Sequence, residues 1–253
     1  MGASVVGNTL KNKKVLITGA TGGIGEATAL RFALEGANVY ITGRNEEKLR
    51  EVSENIFTVC STSNVKYIVI DMLDEGCIEK EIRRLKKEIS YLDVLVNNAG
   101  VLSDVDRHSR FRSVTPDEFE AVWNMNCCAT IKLTEEVMNN LKDKELHIIN
   151  VSSICSETRK LQFTPYGMSK AVIRDISNSI EKQNIGVYVN TILPGTISTR
   201  MTNYSKDSDI TLERNSLYRV GIPEEVAAII AFVASDVGKY ISSNLHVSAC
   251  EVL

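Results

Sequence analysis

Short apolar runs alternate with longer segments of helical spacing along the whole chain, and this alternation limits the possible folds more than any other feature. The runs fall at Val15–Ile17, Val39–Ile41, Ile68–Ile70, Val94–Val96, Ile148–Val151 and Val187–Val189, with a weaker one at Leu245–Val247. Most are apolar at consecutive positions, as strands covered on both faces are. Between them, Ile78, Ile82, Leu85 and Ile89 recur at helical steps and share one face, while Arg83, Arg84, Lys86 and Lys87 fall mainly on the other. Asp74 stands where such a helix needs an N-cap. Strand and helix in strict alternation imply a parallel sheet, because the chain must cross back between neighbouring strands. With right-handed crossovers this gives an α/β fold: one Rossmann-type, doubly wound parallel sheet with helices on both faces.

No linker, repeat or low-complexity tract interrupts the pattern, so residues 1–253 read as a single dinucleotide-binding and catalytic domain. Residues 1–12 read as a flexible tail. Two irregular stretches, 103–115 and 196–217, follow strands and border the end of the sheet where ligands bind. The second reads as a substrate lid. A net charge of −3 is too balanced for nucleic-acid or membrane-surface capture. Cys60, Cys77, Cys127, Cys128, Cys155 and Cys250 form no clustered ligand set, so no metal is expected. The N-terminal stretch lacks the order of a signal peptide and the pattern of a lipidation site, and no apolar run is long enough to span a bilayer. A cytoplasmic protein is the expectation.

The first strand runs directly into Gly19-Ala20-Thr21-Gly22-Gly23-Ile24-Gly25, after which Glu26–Glu35 reads as a helix. Glycines there let the backbone turn sharply and approach a pyrophosphate held at the positive helix N-terminus. The end of the second strand selects the dinucleotide. NAD sites favour a carboxylate there for the ribose 2′-hydroxyl. This chain has Ile41-Thr42-Gly43-Arg44-Asn45 instead. A guanidinium at Arg44 suits a 2′-phosphate, which a carboxylate would repel. The expected cofactor is NADP(H).

Tyr166 and Lys170 stand four apart at the start of a predicted helix, on one face. A phenol with a pKa near ~10 is a poor base at neutral pH. An ammonium ~4 Å away, at an effective dielectric of ~20, favours phenolate by about 4 kcal/mol before desolvation opposes it. That poises the tyrosine for proton transfer. Ser153 closes the fifth strand, thirteen residues before Tyr166, and Asn97-Asn98-Ala99-Gly100 closes the fourth. Asn126 lies in the long helical stretch that follows, and Pro194-Gly195-Thr196-Ile197-Ser198-Thr199 follows the sixth strand.

With this set in place, the chain resembles the short-chain dehydrogenase/reductase family from about Lys13 to about Val247, in its single-domain branch of 3-oxoacyl-carrier-protein-reductase-like members. The longer epimerase branch shares the glycine turn but needs a further substrate domain. The resemblance implies hydride transfer between NADP(H) and a small-molecule ketone or secondary alcohol. It makes Tyr166 the proton donor or acceptor and gives Lys170 the nicotinamide ribose. Ser153 would bond the substrate oxygen in preference to Ser152, and Asn126 would hold a relay water. It places Asp71 at the adenine, and Met72, Asn98, Ala99, Gly100, Pro194, Gly195, Ile197 and Thr199 along the cofactor. It also implies a homo-oligomer, dimer or tetramer.

The chain departs from the family near its end. Val247-Ser248-Ala249-Cys250 replaces a frequent Asp-Gly-Gly, and Ile241-Ser242-Ser243 a frequent Ile-Ser-Gly, which bears on the usual tetramer. Arg107, His108, Arg110 and Arg112 could meet an anionic substrate or a carrier arm, but Asp104 and Asp106 favour a solvated loop. Cys155, His147 and His246 read as structural, and Phe119 with Trp123 as a packed pair. The rival reading of the whole is a catalytically silent dinucleotide-binding sensor or scaffold, whose output is a partner interaction.

Overall fold

A computed structural model describes residues 9–102, 114–143, 145–157, 164–203, 215–242 and 244–250. Its strands are β1 (Lys14–Ile17), β2 (Asn38–Gly43), β3 (Asn64–Val69), β4 (Val94–Asn97), β5 (Leu146–Val151), β6 (Val187–Pro194) and β7 (Asn244–Val247). They form one sheet in the order β3-β2-β1-β4-β5-β6-β7. Every neighbouring pair is parallel. The helices are α1 (Gly23–Leu34), α2 (Glu46–Val59), α3 (Glu75–Glu88), α4 (Pro116–Trp123), α5 (Ala129–Leu141), α6 (Thr164–Gln183) and α7 (Pro223–Ala234). Two hydrophobic cores result. One joins the sheet to α1, α2 and α7 through Phe32, Leu49 and Ile230, and the other joins it to α3 and α5 through Ile82, Leu85 and Leu133. This is the expected doubly wound Rossmann-type arrangement, with β1 and β4 adjacent where the strand order reverses.

Several details differ from the sequence pattern. The third strand starts at Asn64, not at Ile68, because β3 is an edge strand with one half-exposed face, and Lys66 interrupts its apolar run. The helix after the glycine turn begins at Gly23, so the turn's own glycines form its first turn. The long helical stretch around Asn126 divides into α4, a π-helical turn at Asn124–Cys128, and α5. Such turns widen the helix by one residue and recur at functional sites. Asp74 does cap α3, accepting from the Cys77 N–H at 3.0 Å, and Ile78, Ile82, Leu85 and Ile89 are all buried. Phe119 and Trp123 stack with ring centres 5.9 Å apart.

Residues 9–12 of the expected N-terminal tail are ordered against the domain. Leu10 is fully buried and Thr9 donates twice to the Glu35 carboxylate, so residues 9–12 are packed onto the end of α1. Residues 1–8, most of the 103–115 loop with Arg107, His108, Arg110 and Arg112, and residues 204–214 of the expected lid lie outside the described residues. Among the described residues, no helix is long and apolar enough to cross a membrane, and no cluster of His, Cys, Asp or Glu could hold a metal ion.

Candidate active site

A cavity of about 520 Å³ opens beyond the carboxyl ends of β1, β2, β4, β5 and β6. One end is built by the β1–α1 turn. Gly19 and Gly23 have φ of 64° and 56°, a left-handed conformation that side chains resist. A Cβ on Gly19 would stand 2.8 Å from the Ala99 Cα, so the turn packs directly on the end of β4. Gly25 does not face the cavity. A Cβ there would lie 2.4 Å from the Gly19 carbonyl oxygen, so its role is close packing. No side chain caps α1 at Gly22, and its first-turn N–H groups form the cradle that phosphate groups occupy in folds of this kind. Arg44 and Asp71 line the same region, and so does Thr42, whose buried Oγ1 has no hydrogen-bond partner among the described residues. An orphaned hydroxyl in a polar pocket fits a site completed by a ligand. The donors, the glycine cradle and the single cation at the end of β2 together fit a nicotinamide dinucleotide.

The other end carries Ser153, Tyr166 and Lys170. Ser153 lies two residues beyond β5 and opens a 3₁₀ turn at Ile154–Ser156, its Oγ accepting from the Cys155 N–H at 3.1 Å. Tyr166 and Lys170 occupy the first two turns of α6. Lys170 is 5% exposed; its Nζ donates to the Val151 carbonyl oxygen over 2.9 Å and stands 5.7 Å from the centre of the Tyr166 ring. Burial pulls its ammonium down from the ordinary lysine range to about 8. Ser152 donates from Oγ to the Lys170 carbonyl oxygen over 2.8 Å, which ties α6 to the end of β5 and makes it a structural serine.

Asn126 stands behind this wall and does not line the cavity. Its Oδ1 accepts from the Val101 N–H at 2.8 Å, while its Nδ2 donates to the Val101 carbonyl at 3.0 Å and to Ser169 Oγ at 3.0 Å. Ser169 Oγ in turn donates to the Tyr166 carbonyl over 2.7 Å. The π-turn thus connects the segment after β4 to the first turn of α6. A Cβ on Gly100 would lie 3.2 Å from both Asn126 Oδ1 and Lys170 Nζ, so the glycine leaves room for the two groups to converge. Cys127, beside them, is fully buried, and burial pushes its thiol up to about 11, out of reach of thiolate chemistry.

All the expected cofactor residues except Gly25 line the cavity: Gly19, Thr21, Gly22, Gly23, Ile24, Arg44, Asp71, Met72, Asn98, Ala99, Gly100, Tyr166, Lys170, Pro194, Gly195, Ile197 and Thr199. The sequence reading did not single out Val101, Ala121, Met125, Arg200, Met201 or Thr202, which also line it. Ala121 and Met125 could have been found, since they stand four apart on the helical stretch that carries Asn126. Met201 and Thr202 carry no pattern of their own.

A short chain dehydrogenase family model matches residues 13–209. The 3-oxoacyl-(acyl-carrier-protein) reductase of Thermotoga maritima is 33% identical over 244 residues, covering 93% of this chain and 96% of the relative. Among solved structures, a short chain dehydrogenase from Burkholderia cenocepacia in complex with NADP superposes with a TM-score of 0.82 at 27% identity, covering 96% of this chain and 98% of its own. Levodione reductase superposes with a TM-score of 0.87 at 25% identity, with 95% and 97% covered. The chain therefore belongs to the short-chain dehydrogenase family, as an oxidoreductase that acts on CH–OH and C=O groups of small molecules with a nicotinamide dinucleotide.

Proposed function

We propose that this protein is an NADP(H)-dependent reductase of small-molecule ketones, working reversibly on secondary alcohols, with Tyr166 as its general acid and base. The observation that carries the reading is the convergence of Ser153, Tyr166 and Lys170 on one wall of a cavity whose far end holds the glycine turn and Arg44. Gly19–Gly23 and the first turn of α1 hold the pyrophosphate, Arg44 the 2′-phosphate, and Lys170 the nicotinamide ribose. The bound cofactor supplies the hydride. Ser153 donates to the substrate oxygen and fixes its direction. Tyr166 moves the proton to or from that oxygen. The Lys170 charge, 5.7 Å from the ring centre, favours phenolate over phenol. Asn126 is a positioning residue, acting through Val101 and Ser169 on the segment that holds Tyr166.

Val101, Ala121, Met125, Val151 and Met201 give the cavity an apolar wall, which suits a carbonyl carried on an alkyl chain or ring. The 3-oxoacyl activity named for the Thermotoga maritima relative makes a 3-oxoacyl thioester the first ketone to try. The chain forms one catalytic domain and assembles as a homo-oligomer. Retention of Tyr166 and Lys170 supports an enzyme over a silent sensor. The test is oxidation of NADPH by the purified protein across a panel of ketones, a 3-oxoacyl thioester among them. Ketone-dependent oxidation supports the reading. Tight NADPH binding with no oxidation across the panel would overturn it in favour of the sensor.

A further inference from the structure

The turn after β6 lies directly on the glycine turn after β1. Thr202 Oγ1 donates to the Ile197 carbonyl over 2.6 Å, and the Asn203 N–H donates to the Thr199 carbonyl over 3.0 Å, so Thr199–Asn203 is closed by its own hydrogen bonds. The turn docks on two glycines. A Cβ on Gly23 would meet Thr199 Cγ2 at 3.0 Å, and one on Gly22 would lie 2.4 Å from Arg200 Nη2. Arg200 also donates from Nη2 to the Thr21 carbonyl oxygen over 2.5 Å. Its guanidinium therefore rests over the cradle formed by Gly22 and Gly23.

Charge makes that placement informative. Among the described residues three cations line the cavity, and they are spread along it: Arg44 at the end of β2, Lys170 beside Tyr166, and Arg200 between them over the glycine turn. A dinucleotide pyrophosphate carries two negative charges. The first turn of α1 offers it N–H dipoles but also contains an acid, Glu26. Among the described residues, no carboxylate lies within ion-pair distance of Arg200. Among the described residues its one polar contact is a neutral carbonyl, an interaction weaker than a guanidinium–phosphate pair. We propose that Arg200 is a pyrophosphate-binding residue, whose guanidinium leaves the Thr21 carbonyl for the phosphate oxygens when the dinucleotide enters. The proposal rests on the reading of this cavity as a dinucleotide site, and it assigns Arg200 the charge that NADPH and NADH share, where Arg44 takes the charge they do not.

The experiment measures NADPH and NADH affinities by calorimetry for the wild type, Arg200→Ala and Arg200→Lys. Wild-type binding of NADPH is the control, and its absence would remove the dinucleotide reading itself. With that control met, Arg200→Ala is expected to weaken NADPH and NADH by the same factor, about tenfold, and to flatten the salt dependence of both. Arg200→Lys is expected to recover part of the loss. Unchanged affinity, or a loss confined to NADPH, would overturn the assignment. So would tighter binding by Arg200→Ala, since the guanidinium would then merely occupy the site.

Discussion

The ammonium of Lys170 is buried under the end of β5, where it donates to the Val151 carbonyl oxygen over 2.9 Å. Taking a cation out of water is unfavourable, and this one is held 5.7 Å from the centre of the Tyr166 ring at a cost to the fold. Its folded-state value of about 8 lies below the 10.5 of an ordinary lysine. The folded protein thus sheds this proton first as pH rises, and the native state gains stability from about pH 8 to about pH 10.5. The gain is up to about 3 kcal/mol, following ~1.4 kcal/mol per pH unit. Urea unfolding across that range should show the rise, and Lys170→Met should flatten it. A slope that persists in Lys170→Met would assign it to another group.

A second pH effect comes from His147, 8% exposed on β5, whose Nε2 lies 2.6 Å from Asn190 Oδ1. Burial pulls its imidazolium down to about 4. The unfolded chain takes up this proton near ~6.5 while the folded one resists, so stability falls as pH drops from about 6.5 to about 4. The loss approaches about 3 kcal/mol. His147→Gln should lower stability at neutral pH and reduce the slope of unfolding free energy in that window; an unchanged slope contradicts the assignment.

Arg44 is exposed at the end of β2 and lines the cavity without a neighbouring acid on the strand that carries it. Arg44→Ala should weaken NADPH about 10- to 100-fold, the range of a charge-assisted contact, and leave NADH within about twofold. Equal losses for the two cofactors would mean that Arg44 does not read the 2′-phosphate.

Ala249 and Cys250 adopt left-handed backbone, with φ of 48° and 57°. The conformation is held from outside, since Ser216 donates to the Ala249 carbonyl from both N (2.9 Å) and Oγ (2.8 Å). A side chain in this region costs roughly 1 kcal/mol. Ala249→Gly and Cys250→Gly should each raise the unfolding free energy by up to about 1 kcal/mol, less the added entropy of the unfolded chain. A clear loss of stability in both would show that the side chains make contacts worth more than the strain.

What the sequence made legible follows from how local each signal is. The sheet was readable because consecutive apolar residues such as Val94–Val96 have one physical explanation. The glycine turn was readable because it sits between a strand and a helix. The start of β3 was hidden, since Lys66 on an edge strand looks like loop. The π-turn at Asn124–Cys128 was hidden too, because its sequence suits an ordinary helix equally well. Asn126 is expected at a relay water but does not line the cavity, and its hydrogen bonds to Val101 and Ser169 depend on the packing of three separate segments. Arg200 was invisible for the same reason: its partner, Thr21, lies 179 residues away.

Tyr166→Phe tests the central claim most directly, because it removes one hydroxyl and leaves the ring, Lys170 and the cofactor cradle in place. Turnover with a ketone substrate should fall at least ~100-fold, while NADPH affinity stays within about twofold. Retention of wild-type turnover by Tyr166→Phe, with NADPH still bound, would contradict the role given to this tyrosine.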